Sequence, residues 1–157
     1  MKKFLLPTLS LLFAVNFISP ALAGDFDKQI KARQSVMKLY SFNLGILGAM
    51  AKGEMDYDAD LAKASADNLL ATAKMNNGAM WPKGSDMATA GNENLTWAKA
   101  VIWSSFPKVG EKHQALTDAA TKMAAEAGNG VDAIRANIGT VGGSCKACHD
   151  DFRAPKN

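Results

Sequence analysis

The chain of 157 residues carries 18 basic and 15 acidic side chains and two cysteines. That length supports one hydrophobic core rather than two. A balance this close to neutrality excludes the strong long-range attraction on which nucleic-acid binding and adhesion to anionic membranes depend.

At the amino terminus Lys2 and Lys3 precede an apolar run from Phe4 to Phe17, and small residues close the segment at Ala21-Leu22-Ala23. This is the three-part pattern of a secretory signal. Residues 1–23 are expected to be removed, leaving a single domain over 24–157 in the periplasm. The apolar run falls short of the roughly 20 residues that span a membrane as a helix, and no later stretch approaches that length, so the mature chain is expected to be soluble. Losing Lys2 and Lys3 takes the 18 basic residues to 16 against 15 acidic ones, so the basic character of the chain belongs mostly to its signal.

Beyond Gly24 apolar residues recur at steps of three and four and alternating strand patterns are missing, which predicts an all-α chain. Ile30, Met37, Tyr40, Leu44 and Leu47 form a first stripe, ended by Gly53 and the turn-prone Asp56-Tyr57-Asp58. A second stripe runs through Leu61, Ser65, Leu69 and Thr72, with Asp58 or Asp60 as N-cap and Asn76-Asn77-Gly78 as its stop. Residues 78–94 then make one long polar loop containing Trp81-Pro82. The third stripe takes Ile102, Phe106, Val109, His113, Leu116, Ala120 and Met123, and Pro107 inside it predicts a kink or a late start. Gly128-Asn129-Gly130 separates it from a fourth stripe through Val131, Ile134, Ile138, Val141, Cys145, Cys148 and Phe152, which ends near Arg153 before Pro155. Four amphipathic helices predict an antiparallel four-helix bundle, in which cofactor sites form between facing helices.

The two cysteines stand three residues apart, so a disulfide between them would close a tiny loop and constrain the unfolded chain little. Cys145-Lys146-Ala147-Cys148-His149 is instead the C-x-x-C-H pattern of c-type haem attachment. On a helix both thiols lie on one face and can form thioethers to the vinyl groups along one side of a porphyrin. His149, four residues from Cys145, shares that face and can place a ring nitrogen on the iron. A thioredoxin-like site would need a βαβ context, and a zinc site more ligands than these cysteines and His113 supply.

An exported four-helix chain with this pentad about ten residues from the carboxyl end resembles the cytochrome c′ and cytochrome c-556 family, the class II c-type cytochromes. Matching stretches are Lys31-Ala32-Arg33-Gln34-Ser35 with Met37, Ala51-Lys52-Gly53-Glu54 with Tyr57-Asp58, Trp81-Pro82-Lys83-Gly84-Ser85, Ile102-Trp103, and Gly142-Gly143 before Cys145 with Asp150, Asp151 and Arg153 after His149. The resemblance implies one covalently bound haem c between the first and last helices, Arg33 and Gln34 near its propionates, and Met37 on the distal face over the iron. Helical spacing agrees, since Arg33 and Met37 are four apart; an arginine on the buried face needs an anionic partner, which haem propionates would supply, unless it reaches past the stripe to solvent. Two roles stay open for Met37: in the c-556 branch the matching methionine binds iron, and in cytochrome c′ a bulky apolar side chain there shields an open site. Thr96 and Trp97 would touch the haem from the loop side. His113 is read as a residue at a core or subunit boundary, and Trp81, Trp97 and Trp103 as packing or haem-edge groups.

Two functions follow. The first is periplasmic transfer of single electrons between redox partner proteins; the second is a five-coordinate haem that binds nitric oxide or carbon monoxide. No Ser-His-Asp arrangement, phosphate-binding loop or facing carboxylate pair points to an enzyme, and the resemblance implies a homodimer formed through the first two helices.

Overall fold

The structure, a computed structural model, describes residues 26–155; the expected signal segment 1–23 lies outside the described residues. Helix α1 (Asp27–Lys52) stops where Gly53 takes a positive φ of 77° and its N–H turns back to the carbonyls of Ala49 and Met50, a conformation glycine adopts at little cost. Asp58 caps α2 (Ala59–Lys74), its carboxylate accepting from the Leu61 N–H at 2.9 Å. A 3₁₀ turn at Gly78–Met80 opens the long connection. The single-turn helix α3 (Val101–Ser104) breaks at Ser105, and α4 (Phe106–Glu126) begins with Pro107 in its first turn. That is the late start, and it suits a residue with no N–H to give. Gly130, at φ 113°, leads into α5 (Val131–Phe152).

The four long helices neighbour one another in the order α1, α2, α4, α5 and back to α1, each antiparallel to the next, and the α1–α5 seam is the most open of the four. Leu47, Met50, Leu69, Met123, Ile134 and Val141 are fully buried between them, each burial contributing about 1.5–3 kcal/mol. Among the described residues there is no strand; Ala98 and Arg153 form an isolated bridge.

Two of the expected stripes shift. In α2 the buried positions are Ala62, Ser65, Ala66, Leu69 and Ala73, while Leu61 is exposed. Alanines let α1 and α4 come close, and a reading that favours large side chains passes over them. In α4 the break at Ser105 turns the helix so that Phe106 and His113 face solvent, and Leu116, Ala119, Ala120, Met123 and Ala124 carry the core.

Candidate functional site

Cys145 and Cys148 are free thiols one turn apart on α5, both half-buried. Cys145 rests against the main core, and Cys148 against a second cluster made by Trp81, Ala98, Ile102, Trp103, Val109 and Phe152. Burial pushes both thiols up; at Cys148 the Lys112 charge works against that shift. Both therefore stay protonated at neutral pH rather than reacting as thiolates. On the next residue, partial burial and then the Arg153 charge push the His149 imidazole down, with Asp150 opposing. The ring is neutral at pH 7 and keeps a nitrogen lone pair available.

The turn that carries His149 is clamped from several sides. Lys99 N–H donates to the Phe152 carbonyl at 2.9 Å and Ala154 N–H to the Trp97 carbonyl at 2.8 Å. Lys99 Nζ donates to the carbonyls of Asp150 and Asp151 at 3.1 and 3.2 Å, a cation at a helix C-terminus where the dipole favours one. Asp151 pairs with Lys108 and Lys112 of α4 at 3.2 and 3.3 Å. Asp151 thereby ties α5 to α4. Beside this turn His149, Lys99, Asp150, Arg153, Ala154 and Pro155 line an open depression of about 410 Å³.

Across the seam, Arg135 Nε donates to the Ala51 carbonyl at 2.8 Å, and a Cβ on Gly48 would touch Ile138 at 3.8 Å. Continued along α1 toward its amino end, this antiparallel register brings Met37 level with His149. Both contacts belong to the half of the seam away from the thiols, and Met37 is 40% exposed.

Arg33 does not reach for solvent: it is 3% exposed. Its Nη1 donates to Ser85 Oγ at 2.6 Å and to the Met80 carbonyl at 3.4 Å. Its Nη2 donates to the Ser85 carbonyl and, at 3.0 Å, to Thr96 Oγ1. The guanidinium also lies over the Trp81 ring, 4.5 Å from its centre. Burial lowers its pKa to about 10, with the Asp86 charge opposing. Gln34 Nε2 donates to the Leu95 carbonyl at 2.7 Å. Arg33 and Gln34 thus hold the long loop, and the loop places Trp81 against Trp103, whose Nε1 donates to the Trp81 carbonyl at 3.0 Å. Ser85, Asp86 and Asn92 are buried loop residues that the sequence reading missed as partners; a polar run otherwise reads as exposed, and only the buried arginine signals a need for acceptors.

The donor set fits a haem. Two thiols on one helix face, an imidazole one residue on, an aromatic cluster at the second thiol and a seam that opens at the level of a thioether provide attachment, an axial nitrogen, an apolar edge and room for a flat group. Among the described residues no cluster of three or more His, Cys, Asp and Glu side chains could hold a bare metal ion. A haem held here would supply a single iron redox couple with one or two axial ligands.

A profile of the family described as cytochrome c′ matches residues 28–153. The chain belongs to the cytochrome c′ family. It is 38% identical over 136 residues to cytochrome c′ of Cereibacter sphaeroides, covering 87% of this chain and 89% of that one. The solved cytochrome c′ of Rhodobacter sphaeroides superposes with a TM-score of 0.79 at 36% identity, covering 84% of this chain and 99% of that one. A cytochrome c′ variant from Alcaligenes xylosoxidans, solved as a nitric oxide complex, superposes with a TM-score of 0.69 at 32% identity, covering 83% and 97%. Like its family, this chain is a c-type haem protein with a four-helix bundle fold, and among the described residues no helix is long and apolar enough to cross a membrane.

Proposed function

We propose that the mature chain, residues 24–157, is a periplasmic cytochrome that carries one haem through thioethers to Cys145 and Cys148, with His149 as axial ligand, and that it transfers single electrons without acting as an enzyme. The observation that carries this reading is the placement of both thiols and the neutral imidazole on one clamped turn of α5, beside the open end of the α1–α5 seam. The loop held by Arg33 and Gln34 walls that end, and haem propionates directed toward it would meet a cation already fixed in place. Met37 stands level with His149 from the other helix, as a sixth ligand or as a shield.

Binding of a small gas is the second reading. Met37 is not sealed in the core, and the Alcaligenes relative accepts nitric oxide. A pyridine haemochrome assay on the exported protein tests the attachment: the spectrum of a haem with both vinyl groups saturated is expected, and its absence overturns the proposal. Carbon monoxide added to the reduced protein then separates the two functions, because a rapid Soret change requires an open iron site. Pairing of two copies through α1 and α2 is supported by the exposed apolar side chains Leu39 and Phe42 on α1 and Leu61 on α2.

A further inference from the structure

Near-neutral net charge conceals a sharp separation of charge along the bundle. Cutting each long helix at its midpoint divides residues 26–155 into two ends. The end with Cys145, Cys148 and His149 (26–39, 67–115 and 142–155) holds eleven cationic and seven anionic residues, and the opposite end (40–66 and 116–141) holds four and seven. Helices of this length set the centres of the two halves roughly 12–20 Å apart. That is about twice the ~8 Å screening length at physiological salt, so an approaching molecule feels the near end more than the sum.

Three of the seven anions of the cationic end form ion pairs within it, Asp27 with Lys31, Asp150 with Lys146, and Asp151 with Lys108 and Lys112, and Asp67 pairs with Lys63 across the midpoint. Lys38 beside Met37, Lys74 at the end of α2, Lys83 in the loop and Arg153 make no ion pair among the described residues. The same end exposes two large apolar side chains close together in sequence, Phe106 at 54% and Val101 at 42%. Exposed apolar side chains on an end of net positive charge suit a small, transient protein interface, with charge setting the approach and apolar contact holding it. A lipid surface needs no such apolar contact to hold on to cations.

We infer that the thiol-bearing end, which exposes Phe106 and Val101 and carries Lys38, Lys83, Lys99 and Arg153, docks an acidic one-electron carrier protein. The inference rests on the electron-transfer reading and names the partner's chemistry. One electron leaves the reduced carrier and reaches the ferric protein; no bond forms or breaks and no proton is required. The propionates of a bound haem offset part of the positive excess and leave its sign.

The test uses the exported, haem-loaded protein and a reduced plant-type [2Fe–2S] ferredoxin as the acidic probe. Stopped-flow reduction is expected to slow about tenfold or more between ~10 and ~200 mM salt. The Lys38→Glu/Lys83→Glu variant should be slower by about tenfold at low salt, while Lys52→Glu/Lys122→Glu, the same change of charge at the far end, should stay within about twofold. Retention on immobilised oxidised ferredoxin, which needs no turnover, should follow the same order. Salt-independent reduction, or equal effects of the two variants, overturns the docking surface and leaves the cytochrome reading intact. Binding to phosphatidylserine vesicles at ~150 mM salt that is lost in Lys38→Glu/Lys83→Glu assigns the end to a membrane and overturns the protein partner. A chain without covalent haem overturns both readings.

Discussion

Replacing Arg33 by methionine keeps the length of the side chain and removes its fork of donors, so it isolates the polar part of what this residue does. Three of its hydrogen bonds are short, to Ser85 Oγ at 2.6 Å, to the Ser85 carbonyl and to Thr96 Oγ1 at 3.0 Å. Bonds from a charged donor are worth about 1.5–3 kcal/mol each, or about 4.5–9 kcal/mol together. Against this stands the burial of the cation. Burial lowers its pKa to about 10, which corresponds to about 3 kcal/mol against the charged form. The balance is about 2–6 kcal/mol in favour of the native residue. Urea unfolding of the haem-loaded protein, followed by far-ultraviolet circular dichroism, should therefore show Arg33→Met less stable by about 4 kcal/mol. Arg33→Lys should recover only part of that, since an ammonium offers no planar fork to acceptors on Ser85 and Thr96 at once. A methionine variant within about 1 kcal/mol of wild type would refute the reasoning, because the loop acceptors would then be satisfied without the guanidinium.

Asp58→Ala removes the carboxylate that accepts from the Leu61 N–H and should cost about 1 kcal/mol in the same urea assay. Met123→Ala empties a fully buried position and should cost about 2–5 kcal/mol, read from the shift of the urea midpoint at unchanged slope. Asp151 is held below the ordinary carboxylate range, first by its bonds to Lys108 and Lys112. A depressed folded value gives stability that is present above the unfolded pKa and lost as pH falls through the folded one. The difference in urea midpoint between wild type and Asp151→Asn should accordingly be present at pH 7 and shrink toward pH 3. Cys148→Ser should leave a haem on one thioether, detected as a changed pyridine haemochrome band at unchanged haem mass, with Cys145 as the remaining anchor.

The features legible in the sequence were those where one residue type does one local job. Gly53 takes the positive φ that stops α1, Asp58 offers its carboxylate to the first turn of α2, and Pro107 sits where α4 can begin and not where it could continue. The thiol pair and His149 were legible for the same reason, since helical spacing alone puts them on one turn. What escaped was set by contacts distant in sequence. Ala62, Ala66 and Ala73 are core residues because of what α1 and α4 bring against them, and nothing in α2 itself ranks them above Leu61. The sequence marked Arg33 as a cation on a buried face and suggested an anionic partner for it, whereas its protein acceptors are neutral oxygens. Those acceptors, 47 to 63 residues away, were not legible, because Ser85 and Thr96 resemble any other polar loop residues until the fold folds them under.

These two kinds of information meet at the α1–α5 seam. A seam left open forgoes packing that a bundle of this size can hardly spare, so its two walls must be fixed by other means. On the α5 side, Lys99 and the pair Lys108 and Lys112 bind the last turn to the loop and to α4. On the α1 side, Arg33 and Gln34 bind the helix to the same loop. Trp81, held over by Arg33 and joined to Trp103, packs in the cluster that receives Cys148. At this end the walls are thus joined to each other through the loop, so the packing that the α1–α5 seam lacks there is replaced by the hydrogen bonds of Arg33, Gln34 and Lys99.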